Sequence, residues 1–376
     1  MDSISAFWMP DDVTGFLPKI TPSTPLALSQ LPYGSSRILG QLSTELGVMT
    51  DTDLEYIISS LKGEPEVAPA DTTPEVCEGI LRAYVIVAAH LIHRPYFAQK
   101  KELPEAIAKP IWDFSKYVGR PPSLTYASYV LANFSNKISV RSKPSDIKVA
   151  QTLTGTSDEE WFIAVHLSAE TVGAEVVAAI KRMELALQSN NIEVLTSALE
   201  SIEAGVLFAK SIFAEVAGNI DPTVFRESIR PLLFGHDRIR FNGVSGNPEV
   251  TYVGETGAQS GMMRAVDIAL GTRHSDHVIS SFKHFVLCAP PSHQEFFERT
   301  SKTGQQLLGF INNIYIKKAR RNALLAVAEL RRVHLDIVNY FLVENGRKLT
   351  DKGTGGTDFL IWLGNLVNET EADANT

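Results

Sequence analysis

Cysteine is scarce in this chain: Cys77 and Cys288 are the only two among 376 residues. Two cysteines cannot build a disulfide framework or a cysteine-rich metal site, and so low a number fits a reducing compartment. Basic charge is in short supply too, with 35 Lys and Arg against 43 Asp and Glu and a formal charge of −8. A nucleic acid or an anionic membrane surface would call for a basic face, so neither is expected as a partner. No uncharged apolar run is expected to reach the ~20 residues that span a bilayer. The opening stretch, Met1-Asp2-Ser3-Ile4-Ser5-Ala6-Phe7-Trp8, has no basic segment leading into an apolar one. No secretory leader is therefore expected, and the cytoplasm is the expected location. Alternating strand patterns are nearly absent, as are repeats of roughly 20–50 residues. Neither H-E-x-x-H nor G-x-S-x-G occurs, which removes the usual zinc-protease and serine-hydrolase signatures.

What is present is an ordinary folded composition, 44% apolar and 21% charged. The length predicts a small and a large domain. Residues 1–140 read as a small N-terminal helical domain, with helices over Ser36–Leu46, Glu75–His93 and Ala106–Val118, continued by Tyr126–Phe134. The polar stretch Asn136–Asp146, with Pro144 inside it, reads as the linker. Residues 141–376 read as a larger helical domain, with amphipathic segments over about 158–189, 191–217, 259–271, 292–315 and 317–343. The Gly/Asn/Pro-rich stretch Arg238–Val253 reads as an irregular loop. The fold class is all-α, and bundle interiors are where helical proteins place cofactors.

Nine histidines must be sorted by context. His334 falls on a stripe with Val327, Leu330, Ile337, Val338 and Phe341 at helical spacing, and Arg331 stands one turn before it. Two readings fit: a hydrogen-bonded core histidine, or an iron ligand beside a guanidinium that meets a haem propionate. His166 shares an apolar face with Phe162, Val165, Ala169, Gly173, Val176 and Ile180, and the same pair of readings applies. Arg230 precedes Pro231 at a helix end, where it would grip a carboxylate or serve as an ion-paired surface arginine.

The run Gly353-Thr-Gly-Gly-Thr-Asp358 lacks the order of a phosphate loop. It reads as an entry turn capped by Thr357 or Asp358, or as a loop that closes over a pocket behind the polar tether Glu344–Lys352. His90 and His93 read as surface or interface residues, and His274, His277, His284 and His293 as solvated. Asp267 reads as an ion-pair partner.

Taken in order, these segments resemble the indoleamine 2,3-dioxygenase family. The likeness rests on Tyr126-Ala-Ser-Tyr-Val-Leu-Ala-Asn133, Phe225 through Arg230, Gly254–Gly271 and Pro290-Pro-Ser-His293. It rests above all on Arg331-Arg-Val-His334-Leu-Asp-Ile-Val338 followed by Gly353-Thr-Gly-Gly-Thr-Asp358. The resemblance implies a small helical domain capping a large one that holds a single haem b. It implies His334 as the proximal iron ligand, Asp267 as a residue supporting that ligand from behind, and Arg331 on a propionate. Arg230 would bind the substrate carboxylate, with Thr354 and its glycine loop closing over the amino-acid portion. Tyr126, Tyr129, Val130, Phe162, Phe225 and Gly257 would line the substrate pocket, and His166 and Arg230 would take the catalytic roles.

The implied reaction inserts both atoms of O2 across the indole C2–C3 bond of L-tryptophan, giving N-formylkynurenine, and a monomer is expected. Two positions depart from the family pattern. His166 stands where the animal enzymes have a serine and the related tryptophan 2,3-dioxygenases a histidine, and Arg226 stands where the animal enzymes have an aromatic residue near the pocket. The competing readings are another haem-dependent oxidation of a modified indole, of the mono-oxygenase or peroxidase kind, a haem sensor without turnover, and a haem-free interaction module.

Overall fold

A computed structural model describes residues 3–31, 39–40, 46–61, 67–344, 347–348, 352–356 and 358–376. The helix expected over Ser36–Leu46 lies largely outside the described residues.

Helix starts are written in local chemistry. α1 (Pro74–His93) opens on a proline, whose missing N–H is no loss in the first turn. α2 spans Glu105–Val118 and closes on Gly119, whose φ of 71° suits the left-handed cap. Thr156 caps α3 (Ser157–Glu170) by accepting from the Glu159 amide, and Asp158, Glu159 and Glu160 load its first turn with negative charge. Asn191 caps α5 (Ile192–Phe213), which follows α4 (Gly173–Ser189). Ser260 caps α6 (Gly261–Ala269), which is followed by α7 (Asp276–Val286) and α8 (Pro291–Leu307). Asn313 caps α9 (Ile314–Leu342), the longest helix described. Asp358, accepting from the Ile361 amide, caps α10 (Phe359–Ala374). Thr357, the alternative cap, lies outside the described residues.

α9 is the axle of the bundle and packs along both α5 and α10, while α5 packs in turn on α4. One apolar core gathers α1, α2, residues around Tyr129 and the stretch Ile229–Val244. A second gathers α4, α5, α6, α8 and α9, and Phe16 from the N-terminal segment is built into it.

The structure corrects several expectations. The continuous segment 158–189 is two helices, broken at Thr171–Val172, where Gly15 and Phe16 press against Gly173. Arg238–Val253 is not an irregular loop. β1 (Glu102–Leu103) pairs in parallel with β2 (His236–Phe241), which pairs antiparallel with β3 (Glu249–Tyr252). A register shift between His236 and Ile239 hides the alternation on which a strand is recognised, and Arg238 there has φ 49°. The expected tether carries its own short ladder, β4 (Val343–Glu344) against β5 (Arg347–Lys348).

Two helical stretches, Pro74–His93 and Ser157–Ser189, are long and apolar enough to cross a bilayer by length and composition, though charged residues interrupt both. Their most apolar windows are 83% and 89% buried inside the protein, as core helices are. His90 is buried rather than at the surface, its Nε2 on the Leu153 carbonyl at 2.9 Å, and His93 bonds the Phe234 carbonyl at 2.9 Å. His293 is fully buried, edge-on to Trp8 and Phe16. His277 and His284 are exposed as expected.

α8 approaches α6 closely at Gly304, where an added Cβ would sit 2.0 Å from the Ile268 carbonyl oxygen. Gly304→Ala is expected to destabilise the fold by ~1–3 kcal/mol through overpacking. Gly309→Ala, which meets nothing within 4 Å, should be near neutral. Thermal unfolding of the two variants side by side checks the contrast.

Candidate functional site: a histidine-lined apolar cavity

Three helices converge on one cavity. α3 brings Phe162 and His166, α5 brings Phe213, and α9 brings His334, Ile337, Val338 and Phe341. The π-helical turn Phe225–Ile229 and the 3-10 turn Arg230–Leu233 add Phe225, Arg230 and Leu233. Glu255, Thr256 and Gly257 form one edge, Gly353, Thr354 and Gly355 another, and Phe285 and Trp362 a third. The enclosed space is about 140 Å³, and about 1000 Å³ when its open mouth and the solvent there are counted.

The walls are rings in register. Phe162 lies 4.3 Å from His166 and 5.4 Å from Phe225, centroid to centroid, and Phe225 lies 4.9 Å from Phe341. Phe213 stands between the two histidines, 5.1 Å from the ring of His166 and 6.3 Å from that of His334.

His334 borders this space, and among the described residues it makes no hydrogen bond. Burial holds its pKa down to about 4, so it is a neutral imidazole with a free lone pair. A core histidine ordinarily finds a partner. A partnerless one at a cavity is the donor set of a metal ligand. Among the described residues no three His, Cys, Asp or Glu side chains gather to hold a bare ion. One imidazole on an apolar cavity therefore fits a macrocyclic metal complex, which brings its remaining in-plane ligands with it.

His166 differs. Its Nδ1 lies 2.7 Å from the Phe162 carbonyl oxygen, which can only accept, so Nδ1 carries the proton and donates. Nε2 is left as an acceptor. Burial holds this pKa also to about 4, against the pull of that carbonyl and aided by His334 nearby.

Arg230 is pinned by its Nη2 donating to the Lys352 carbonyl at 2.7 Å, with its guanidinium 4.6 Å from the centroid of the Phe234 ring. Burial lowers its pKa to about 10, which leaves it cationic. The glycine loop is docked. The Gly254 amide donates to the Thr354 carbonyl at 3.2 Å, and a Cβ on Gly355 would come within 3.0 Å of the Phe285 ring.

Of the residues expected at the site, the structure brings together His334, His166, Arg230, Phe162, Phe225, Gly257 and Thr354. Others stand elsewhere. Tyr126, Tyr129 and Val130 are fully buried behind the wall, the first two held by hydroxyl bonds to Glu170 and Glu159. Arg226 lies outside the lining and donates to the Phe341 carbonyl and the Thr223 hydroxyl.

Arg331 does not face the cavity as a propionate partner would. It is buried against Asp267, Nη2 to Oδ2 at 2.5 Å, and bonds the Thr370 hydroxyl. Three residues from His334 on a helix is nearly a full turn, and Asp267 draws the guanidinium to the far side. Asp267 is thus the ion-pair residue the sequence suggested. His274, expected to be solvated, is buried between Asp267 and Glu369, 3.7 and 2.9 Å away. Burial opposes protonation of His274, but attraction to Asp267 and the hydrogen bond with Glu369 win and raise its pKa.

Glu255, Phe213, Phe285 and Trp362 were missed. Glu255 sits in a glycine-rich stretch with no periodicity to read. The three aromatics look like any core residues until the helices are assembled.

Among the described residues, the helical bundle presents His334 without a hydrogen-bond partner to an apolar cavity, the donor a cofactor metal would need. The family model for indoleamine 2,3-dioxygenase matches residues 70–373. The chain belongs to the indoleamine 2,3-dioxygenase family and is an oxidoreductase of that family. Among its relatives, the indoleamine 2,3-dioxygenase qulI of Penicillium citrinum is 27% identical, over 95% of this chain and 86% of that protein. The 6-hydroxytryptophan 2,3-dioxygenase fscD of Fusarium equiseti is 26% identical, over 73% of this chain and 72% of that protein. A protein named myoglobin from Haliotis madaka is 25% identical, over 77% of this chain and 79% of that protein.

Burial works against the charge on Asp267, yet attraction to Arg331 and His274 holds its pKa below the usual carboxylate range. Asp267→Asn is expected to cost ~3–5 kcal/mol, because it strands a buried guanidinium. A depressed carboxylate stabilises the fold above its unfolded value of roughly 3.9 and loses that contribution as pH falls toward the folded value. Urea unfolding of wild type and variant should give a gap that is widest between about pH 4 and 6, narrows at higher pH as His274 loses its proton, and narrows again below about pH 4.

Proposed function

We propose that this protein is a haem-dependent dioxygenase that inserts both atoms of O2 across the C2–C3 bond of an indole, L-tryptophan or a close analogue, to give an N-formylkynurenine-type product. The observation that carries this reading is His334, a neutral imidazole that makes no hydrogen bond among the described residues and borders an apolar cavity. Held on His334, the haem would supply the iron at which O2 is taken up and activated.

The chain's own residues then position and exclude. Arg230, cationic and held by a backbone carbonyl, is placed to take the substrate carboxylate through charge-assisted hydrogen bonds. Phe162, Phe225, Phe213 and Phe341 give the ring an apolar berth and keep water out. His166, with Nδ1–H committed to the Phe162 carbonyl, presents Nε2 as an acceptor for an indole N–H. Thr354 and its neighbouring glycines border the cavity near Arg230 and offer a hydroxyl and backbone groups to the amino-acid end. Fixing both ends of the substrate makes the oxygenation effectively intramolecular.

The test is to mix reduced, haem-loaded protein with L-tryptophan and air and to look for an N-formylkynurenine-type product. Binding of O2 without product, as the name of the Haliotis relative suggests for that protein, would overturn the reading. Arg230→Ala should weaken productive binding of tryptophan by ~2–4 kcal/mol, seen as a fall in kcat/KM. Turnover of an indole that carries no carboxylate should be little changed. Equal losses on both substrates would remove Arg230 from carboxylate recognition.

A further inference from the structure

Six acidic side chains are buried among the described residues: Glu78, Glu159, Glu170, Glu255, Asp267 and Asp373. Five are paired. Glu78 accepts from Trp8 Nε1 and pairs with Arg120, and Asp373 pairs with Arg320 and Arg273. Asp267 pairs with Arg331. Glu159 accepts from Tyr129, Thr154 and the Leu153 amide, and Glu170 from Tyr126, Ser260 and the Met262 amide.

Glu255 is the exception. It is 3% exposed, its Oε1 is enclosed without a hydrogen-bond partner, and it lines the cavity. The nearby groups that might satisfy it are committed elsewhere. The hydroxyls of Tyr126 and Tyr129 go to Glu170 and Glu159. Nor can Glu255 withdraw. Its amide donates to the Leu233 carbonyl at 3.1 Å, and a Cβ on the preceding Gly254 would lie 2.2 Å from that same oxygen.

A buried polar group left unmatched inside a ligand cavity is matched by the ligand, or it is a standing cost. We propose that Glu255 sets the specificity of this cavity by hydrogen-bonding a hydroxyl carried on the aromatic ring of the substrate, so that ring-hydroxylated indole amino acids are preferred over the unsubstituted ring. The proposal rests on the indole reading above and refines it. A hydroxyl suits this carboxyl better than a cation does, because burial raises its pKa to about 8 and leaves it mostly neutral at pH 7, able to donate as well as accept. Sites that hydrogen-bond a substrate hydroxyl reject the analogue lacking it, since the site's own group is then left bare.

The experiment is anaerobic calorimetric titration of the haem-loaded enzyme with L-tryptophan, 5-hydroxy-L-tryptophan and 6-hydroxy-L-tryptophan, repeated on Glu255→Leu and Glu255→Gln. Wild type should bind one hydroxylated isomer at least about tenfold tighter than L-tryptophan. Glu255→Leu should reduce that preference to within about threefold, and Glu255→Gln, which keeps an acceptor oxygen, should retain part of it. No preference in wild type, or a preference that survives Glu255→Leu, overturns the assignment while leaving the indole reading intact. Failure of all three compounds to bind overturns both. Thermal unfolding gives the second measurement: Glu255→Leu should melt at or above the wild-type temperature, because it removes an unmatched buried carboxyl. A clear fall would show the carboxyl to be structural and overturn the proposal.

Discussion

An imidazole buried in hydrocarbon must satisfy its nitrogens or lose the hydrogen bonds that water would have given it. His334 borders such a space with no hydrogen-bond partner among the described residues, and the neighbouring architecture is consistent with leaving it so. Long α9 holds the ring at a fixed depth, braced on two sides by α5 and α10. Phe213, its ring 6.3 Å away, offers it a ring and no acceptor. The low pKa that burial imposes keeps the lone pair unprotonated across the physiological range.

Charge is segregated around that constraint. Two buried pairs, Arg331 with Asp267 and Arg320 with Asp373, join α9 to α6 and α10, and neither belongs to the cavity lining. They fasten the C-terminal helix to the bundle without adding charge to the cavity. Inside the cavity, polar groups are few, and each has one free function: Nε2 of His166, the guanidinium of Arg230, the carboxyl of Glu255. Sparse, fixed polar groups on apolar walls are what give a site orientation as well as affinity.

Much of this was legible in the chain. The stripes that carry His166 and His334 have helical period, and α3 and α9 form where those stripes run. Arg230 before Pro231 ends a helical turn at the cavity, as the residue order implied. What could not be read depends on three-dimensional neighbours. The strand around Ile239 is masked by a register shift, so alternation fails as a signal. Arg331 is one helical turn from His334, yet only the position of Asp267 on α6 decides which way the guanidinium turns. Tyr126 and Tyr129 sit in the family-like segment but are drawn back from the cavity by Glu170 and Glu159, partners about 44 and 30 residues away. His274 and His293 have polar sequence neighbours and buried spatial ones, a difference composition cannot express.

The most direct measurement is a haem titration of His334→Gly, followed by absorbance, with and without free imidazole. If the His334 ring is the group that holds iron, the variant should take up haem weakly. Imidazole, filling the space the side chain vacated, should restore one tightly bound haem per chain. Tight binding of one haem by the variant without imidazole would contradict the assignment of His334.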